Sequence, residues 1–300
     1  MLQYDDRTVV VTGAGYGIGR AHALTFAQRG ANVVVNDINR AHADAVVATI
    51  IQSGGNAVAS YDSVVNGEAI IEDTLDAFGG IHVLICNAGN KPGKSVEEGG
   101  VPFSARDEKE WHLIQDVHLQ GVYKCCYAAW PLMLEQQYGR ILITSSPMGF
   151  WGMRNGSHYA TSKTGCFGLM QCLALEGRDS NVSSNAILPC ATSSMNEAIF
   201  DSALKEALDP RYVAEFAVML CHESYTKSGQ AFEVGGGFVH QIRFQLSQGI
   251  QLFGKEYSAE SIAELESQLE DFSQPVYPEV GEIGAIWPAI LQRLKVDSPV

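Results

Sequence analysis

The chain has 300 residues, 46% of them hydrophobic, with 20 Lys and Arg against 34 Asp and Glu for a formal net charge of −14. That length suits one large α/β domain or two small ones, and the acidic balance argues against nucleic acid or an anionic membrane surface as a partner. No apolar run approaches the ~20 residues of a membrane span, residues 1–6 lack the basic and apolar regions of a signal peptide, and seven irregularly spaced Cys with no C-terminal targeting tripeptide point to reduced thiols in a cytoplasmic setting, a peroxisomal one staying open.

Arg7-Thr8-Val9-Val10-Val11 is β-branched and apolar and predicts a buried strand. Thr12-Gly13-Ala14-Gly15-Tyr16-Gly17-Ile18-Gly19 follows, and the stretch from Arg20 to Arg29, free of breakers, predicts a helix behind it. Gly13 lets the chain leave the strand sharply, Gly17 clears the backbone for a pyrophosphate, and Gly19 lets the helix pack close to the sheet. Ile18 and Gly19 open that helix, whose free N–H groups and positive end suit phosphate. Ala31–Asn36 predicts the second strand, with Asp37 at its C-terminal end, 18 residues past Gly19. A carboxylate there bonds a ribose 2′-hydroxyl and repels a 2′-phosphate, so the cofactor read from this stretch is NAD. The competing role for Asp37 is to cap a helix starting near Asn39.

A helix over 41–52, a turn at Ser53-Gly54-Gly55-Asn56 and a third strand over 57–61 follow, ending at Asp62 and Ser63. A short helix over 67–78 leads to a fourth strand, 81–86, which delivers Asn87-Ala88-Gly89. Residues 90–104 read as a surface loop on the ligand side, since they leave a strand's C-terminal end. A long helical region over 107–137 precedes the fifth strand, 140–144, with Ser145 and Ser146 at its end. A loop over 147–156, a helix over 157–178, a sixth strand over 182–188, helices over 197–208 and 210–221 and a seventh strand over 230–234 complete the alternation. Strands alternating with helices predict an α/β, Rossmann-like, doubly wound parallel sheet of seven strands with helices on both faces, spanning 1–245. Beyond it, Ile262, Leu265, Leu269 and Phe272, then Trp287, Ile290, Leu291 and Leu294, recur at helical spacing and predict a helical extension, 246–300, packed on the same domain. The adjacent Cys125 and Cys126 point different ways on a helix, and no metal site is expected.

Tyr159 and Lys163 stand four apart in Tyr159-Ala160-Thr161-Ser162-Lys163, which places both on one helix face. An ammonium beside a phenol favours the phenolate and equips it to exchange a proton with an alcohol or carbonyl. Ser146, 13 residues upstream, ends a strand, and the intervening loop can bring its hydroxyl to the same oxygen. A Tyr and Lys four apart are common by chance; here they coincide with a nucleotide-binding half, a strand-end Ser and Asn87-Ala88-Gly89.

On Thr12 to Gly19, Asn87-Ala88-Gly89, Ser146, Tyr159 and Lys163, covering about residues 7–240, the chain resembles the short-chain dehydrogenase/reductase family. Val33 to Asp37, Asn56 to Val64, Ala128 to Pro131, Tyr138 to Ile141, Leu220 to Ser224 and Phe232 to Gly235 more narrowly resemble the (3R)-hydroxyacyl-CoA dehydrogenase units of peroxisomal multifunctional enzymes. The resemblance implies Tyr159 as general acid/base, Lys163 as its partner and a nicotinamide-ribose ligand, and Ser146 as the group orienting the substrate oxygen. It implies Asp62 and Ser63 at the adenine, Asn87 and Gly89 along the cofactor, and Ala191, Thr192 and Ser194 over the nicotinamide. It also implies a homodimer or homotetramer, and the helices over 107–137 and 157–178 are read as the contact because each carries apolar residues on more than one face: Val122, Cys126, Ala129, Trp130 and Met133 on one, Cys166, Phe167, Leu169, Met170 and Leu173 on the other.

His118 departs from the family pattern, which has Asn there, and is read either as part of the proton path or as a packing residue at a helix bend. The expected activity is NAD(H)-dependent interconversion of a secondary alcohol and a ketone on a small-molecule substrate; the competing class is a non-catalytic NAD-binding scaffold. Two substrate classes stay open. A ring-containing alcohol or ketone would use Phe150 and Trp151 as an apolar lining. A 3-hydroxyacyl-CoA, a polyanion, would need the cations Lys91, Lys94 and Arg154, and the acidic composition tilts the reading toward the ring.

Overall fold

A computed structural model describes residues 2–91, 100–193, 200–250, 252, 257–278 and 281. Two compact units divide the chain, Met1–Gln241 and Ile242–Val300. The first is built on β1 (Thr8–Thr12), β2 (Asn32–Asn36), β3 (Asn56–Ser60), β4 (Val83–Cys86), β5 (Gly139–Thr144), β6 (Val182–Pro189), β7 (Ala231–Gly235) and β8 (Phe238–Ile242). These form one sheet in the order β3-β2-β1-β4-β5-β6-β7-β8. Every pairing from β3 across to β7 is parallel, with Val9 opposite both Val33 and Val83, and Val83 opposite Arg140. Val9–Val11, Val33–Val35, Val83–Ile85 and Ile141–Ile143 are buried on both faces, which is why those runs carry no polar alternation.

The seven parallel strands are those read from the sequence; the eighth was not. Gly236 and Gly237 both have positive φ, 58° and 80°, the backbone of a tight two-residue turn. Such a turn returns the chain beside β7 without a crossover. β8 shows no periodicity because it is an edge strand with Phe238 to Gln241 all exposed.

The crossovers are α1 (Gly17–Ala27), α2 (Arg40–Gln52), α3 (Gly67–Phe78), then α4 (Glu108–Gln115) and α5 (Gly121–Glu135), with a π-helical turn, Asp116–Gln120, between the last two. Next come α6 (Pro147–Trp151), α7 (Ser157–Glu176), α8 (Ser202–Ala207) and α9 (Arg211–Cys221). The sequence reading missed α6, although Ser146 as N-cap and Pro147 at the first helical position are a start signal. Of the residues from which a subunit contact is read, Val122, Cys126, Ala129, Met133, Cys166, Phe167, Met170 and Leu173 are buried inside the single chain, while Trp130 and Leu169 are half-buried. The large side chains that α5 leaves exposed are Tyr123 and Tyr127, whose rings meet at 5.6 Å.

The second unit holds α10 (Ala259–Ala263), capped reciprocally by Ser258 and Ser261, α11 (Glu266–Leu269), and an antiparallel bridge between Leu246 and Val276. Arg243 stacks on Tyr277 at 3.8 Å. The stripe expected at Trp287, Ile290, Leu291 and Leu294 lies outside the described residues.

His22, on α1, is fully buried and neither ring nitrogen has a hydrogen-bond partner among the described residues. Burial pulls its pKa down to about 3. Below about pH 6.5 the unfolded chain therefore binds a proton that the folded chain refuses, and stability falls as pH drops toward the folded value. We expect His22→Leu to raise the unfolding free energy by about 1–3 kcal/mol at pH 7.5, with a larger gain at pH 5. Urea melts at the two pH values measure this, and a variant no more stable than wild type at either would overturn it.

Candidate active site

The strand order reverses at β1, between β2 on one side and β4 on the other, and the C-terminal ends of β1 and β4 open the crevice where such sheets take ligands. Thr12, the last residue of β1, ties the two ends together. Its hydroxyl accepts the N–H groups of Asn87 (3.0 Å) and Ala88 (3.1 Å) and donates to the Ile85 carbonyl (3.3 Å). The Asn87 side-chain amide donates back to the carbonyls of Thr12 (3.0 Å) and Gly13 (3.3 Å). A Cβ on Gly13, at φ +63°, would stand 2.8 Å from the Ala88 Cα, and one on Gly19 would collide with the Gly13 carbonyl. These two glycines close the loop onto its own helix and onto the end of β4.

Gly17, at φ +54°, faces a different neighbour. A Cβ there would stand 3.5 Å from the Ser193 Cα and 3.8 Å from the Thr192 carbonyl, so the segment after β6 lies over the glycine loop. Ala191 is buried, the Thr192 hydroxyl is buried with no partner among the described residues, and Ile18 packs on the core. Ser194 lies outside the described residues.

Asp37 is half-buried, with Oδ2 accepting from the Gly15 N–H and Oδ1 from the Asn39 N–H, both at 2.9 Å. The N-cap of α2 is Asn39, whose side chain accepts from His42 N–H, so the capping role weighed for Asp37 belongs to its neighbour. Arg40, the first cation beyond Asp37, has its guanidinium 4.1 Å over the Tyr61 ring, and the Tyr61 hydroxyl donates to Asp44 at 2.6 Å. Asp62 accepts from Asn36 through its carbonyl (2.8 Å) and from Asn66 through its carboxylate (3.1 Å), and Ser63 is the N-cap of the 3-10 turn Val64–Asn66.

The second cluster hangs on α7 and the end of β5. Lys163 is buried and donates from Nζ to the Thr144 carbonyl at 2.7 Å, while the Ser145 hydroxyl donates to the Lys163 carbonyl at 2.8 Å. That pair of bonds fixes α7 against β5 at one point. The Lys163 Nζ lies 5.6 Å from the centroid of the half-buried Tyr159 ring. Ser146 caps α6 by accepting from the Met148 N–H (3.2 Å), which leaves the hydroxyl proton to donate. A Cβ on Gly149 of α6 would stand 3.0 Å from the Lys163 Cβ, so α6 lies directly against α7 there.

His118 also meets Tyr159, the rings edge to face at 5.2 Å. It is carried inward by the π-helical turn, a device frequent at functional sites. Its Nε2 is 3.1 Å from both the N–H and the carbonyl of Asn90, its Nδ1 is buried without a partner, and a Cβ on Gly89 would stand 2.7 Å from its ring. Burial, helped by the Lys163 charge, pulls its pKa down to about 3, so the imidazole is neutral at physiological pH.

The structure thus draws Ser146, Tyr159, Lys163 and His118 around the end of β5, and Gly13, Gly17, Gly19, Asp37, Asn87, Gly89, Ala191 and Thr192 around the crevice. Sequence reasoning missed Thr12 as the knot between β1 and β4, and it missed Arg106, Gln115 and His158 behind Tyr159. No spacing singles these out, because their partners lie in distant segments. Phe150, half-buried, packs edge to face on Phe167 at 4.8 Å, and Trp151 is exposed. Lys91 and Arg154 are exposed on the loops leaving β4 and β5; Lys94 lies outside the described residues.

Residues 7–203 match the family model described as short chain dehydrogenase. The chain belongs to the short-chain dehydrogenase family. It is therefore an oxidoreductase working with a nicotinamide cofactor. It is 40% identical over 286 residues to peroxisomal multifunctional enzyme A of Dictyostelium discoideum, covering 92% of this chain and 63% of that protein. It is 33% identical over 246 residues to a 3-oxoacyl-[acyl-carrier-protein] reductase of Synechocystis sp., covering 78% of this chain and 97% of that one. Among solved structures, full-length peroxisomal multifunctional enzyme type 2 from Drosophila melanogaster superposes with a TM-score of 0.81 at 35% identity, over 98% of this chain and 50% of that one. The chain thus spans about half to two-thirds of these multifunctional relatives. No helix among the described residues is long and apolar enough to cross a membrane.

The crevice fits a dinucleotide on its own terms. The glycine loop has no side chain where phosphates approach, Asp37 keeps lone pairs for hydroxyl donors, and Lys163 has N–H groups beyond the one given to Thr144. Because the Thr12 hydroxyl serves three backbone groups, Thr12→Val strands two N–H groups and one carbonyl at the mouth of the site. We expect a loss of about 2 kcal/mol in stability and at least about tenfold weaker NADH binding by fluorescence titration. Wild-type affinity in that variant would show that the knot does not shape the crevice.

Proposed function

We propose that the enzyme interconverts a 3-hydroxyacyl thioester and its 3-oxoacyl counterpart with NAD(H), Tyr159 acting as general acid/base. The observation that carries this reading is that Tyr159 has both the Lys163 Nζ (5.6 Å from its ring centroid) and the neutral His118 ring (5.2 Å) beside it, on the helix that Lys163 ties to the end of β5. In the oxidative direction Tyr159 accepts the proton of the substrate hydroxyl; in the reductive direction it returns one to the new alkoxide. Ser146 donates its free hydroxyl proton to the same substrate oxygen and orients it. Lys163 holds the ribose next to the nicotinamide and keeps positive charge beside the phenol. His118, neutral, holds Tyr159 by ring contact and backs it with a low-dielectric wall. The nicotinamide, when bound, supplies the hydride acceptor or donor. Asp37 takes the adenosine ribose hydroxyls, Asp62 and Ser63 border the adenine, Asn87 and Gly89 line the path between, and Ala191, Thr192 and Ser194 cover the nicotinamide.

The thioester reading is supported by relatives whose printed names place 3-oxoacyl reduction on this fold. The test is NAD reduction with (3R)-3-hydroxyacyl-CoA by wild type and Tyr159→Phe. Wild type is expected to turn over, and the variant to lose about 10²–10⁴-fold while binding NADH as before. Turnover of cyclic ketones alone would transfer the proposal to ring-containing substrates, and a variant within threefold of wild type would remove Tyr159 from the acid/base role.

NAD rather than NADP rests on Asp37, with Arg40 drawn aside onto Tyr61. Asp37→Ala removes the repulsion of a 2′-phosphate while leaving Arg40 in place. Titration should find wild type preferring NADH and the variant shifted toward NADPH by at least about tenfold; tighter NADPH binding by wild type would refute the assignment.

A further inference from the structure

Directly behind Tyr159 lies a buried ionic cluster that the reaction scheme above does not use. Arg106 closes the loop that leaves β4. Its side chain is only 4% exposed and its Nη1 pairs with Glu110 on α4 at 3.1 Å. The same guanidinium donates to the carbonyls of Val101 (2.9 Å) and Asn155 (2.6 Å) and to Nε2 of His158 (2.9 Å). A guanidinium has no acceptor, so Nε2 of His158 carries the lone pair, and the imidazole is neutral with its proton on Nδ1. His158 is buried, immediately precedes Tyr159 on α7, and gives its carbonyl to the Gln115 side chain at 2.7 Å. One side chain therefore fastens the loop after β4, the loop after β5 and the first turn of the helix that presents the acid/base.

Two details mark this cluster as a device for placement. Asn155 has φ +65°, a conformation a non-glycine residue adopts at a cost, and Arg106 holds its carbonyl there. A Cβ on Gly100, at φ +58°, would stand 2.8 Å from the Asn155 Cβ, so the two loops meet nearly backbone to backbone. The cluster is also costly: Arg106 Nε and Glu110 Oε1 are buried without partners among the described residues. Buried ion pairs of this kind contribute little net stability compared with apolar side chains of the same size. They do fix geometry.

We propose that Arg106 is a positioning residue for the reaction: braced by Glu110, it locks the two substrate-side loops together and sets the start of α7 so that Tyr159 meets the substrate oxygen. This rests on the reading of Tyr159 as acid/base. The groups facing the neutral His158 are Arg106, Glu110 and, past Tyr159, His118; burial and the Arg106 charge hold its pKa below the ordinary histidine value. Protonation would set an N–H against the guanidinium and break the clamp.

The test compares the full chain with Arg106→Met/Glu110→Met, with His158→Gln and His158→Leu, and with Tyr159→Phe. The readouts are melting temperature, NADH affinity, kcat and KM with (3R)-3-hydroxyacyl-CoA, and hydrogen exchange over residues 152–160. The double variant removes both charges together but leaves the Val101 and Asn155 carbonyls and His158 Nε2 without their donor, so its melting temperature should fall by only a few degrees while NADH binding stays within about threefold of wild type. Its kcat should fall at least about tenfold, as misplacement of a reacting group does, and exchange over 152–160 should rise. His158→Gln, whose amide oxygen still accepts from Arg106 and does not titrate, should keep kcat; His158→Leu should lose it as the double variant does. This pair decides the matter if the double variant does not fold. Wild-type kcat in both the double variant and His158→Leu, unchanged exchange, or a parallel fall of stability, NADH binding and kcat would overturn the proposal. If Tyr159→Phe is as active as wild type, the acid/base reading fails instead, and the exchange data alone judge the clamp.

Discussion

A single hydroxyl holds the crevice open in the right shape. Parallel strands end in backbone N–H and C=O groups that the ladder no longer satisfies, and burying them unpaired is costly. At the reversal point two such ends, those of β1 and β4, meet side by side. Thr12 answers three of their groups with one oxygen, and the Asn87 amide answers two more. With those needs met inside the protein, the glycine loop is free to face a ligand. Gly13 and Gly19 are then required for a simple reason: any side chain at either would push the loop off this knot.

On the other side of the crevice the balance is electrostatic. Lys163, His118 and Arg106 are all buried, and each solves its solvation differently. Lys163 gives one N–H to a strand-end carbonyl and has others beyond it. His118 gives up its charge. Arg106 cannot give up its charge, so it takes four partners, one each from the loop after β4, α4, the loop after β5 and α7. A buried charge that recruits its partners from separate loops makes the position of each loop depend on the others. That is how a long connection such as 100–106, with little regular structure, acquires a defined place.

Much of this was legible in the sequence. Strand runs such as Val9–Val11 and Val33–Val35 announced a sheet covered on both faces, and the order strand, glycine turn, helix, strand, Asp37 placed the nucleotide half. Tyr159 and Lys163 were readable because helical spacing alone puts them on one face. What escaped depends on contacts distant in sequence. The edge strand β8 has no buried face to impose alternation. The π-helical turn that carries His118 inward has no residue signature. Arg106 finds His158 52 residues away, and only the folded chain brings them together. Apolar helix faces such as that of Val122, Cys126 and Ala129 read the same in a sequence whether the sheet or a second subunit covers them; the fold shows these three covered by the chain itself.

The two sides of the site are therefore built to different tolerances. The cofactor side is fixed by backbone groups at strand ends, which any sequence of this topology must satisfy. The substrate side is fixed by side chains on loops. Changes in those loops can alter which alcohol fits without disturbing the crevice, provided the clamp survives. Lys91 and Arg154 occupy those same two loops, one on each. In a chain of net charge −14, cations that are to meet an anionic thioester carrier have to be held in register against the surrounding field.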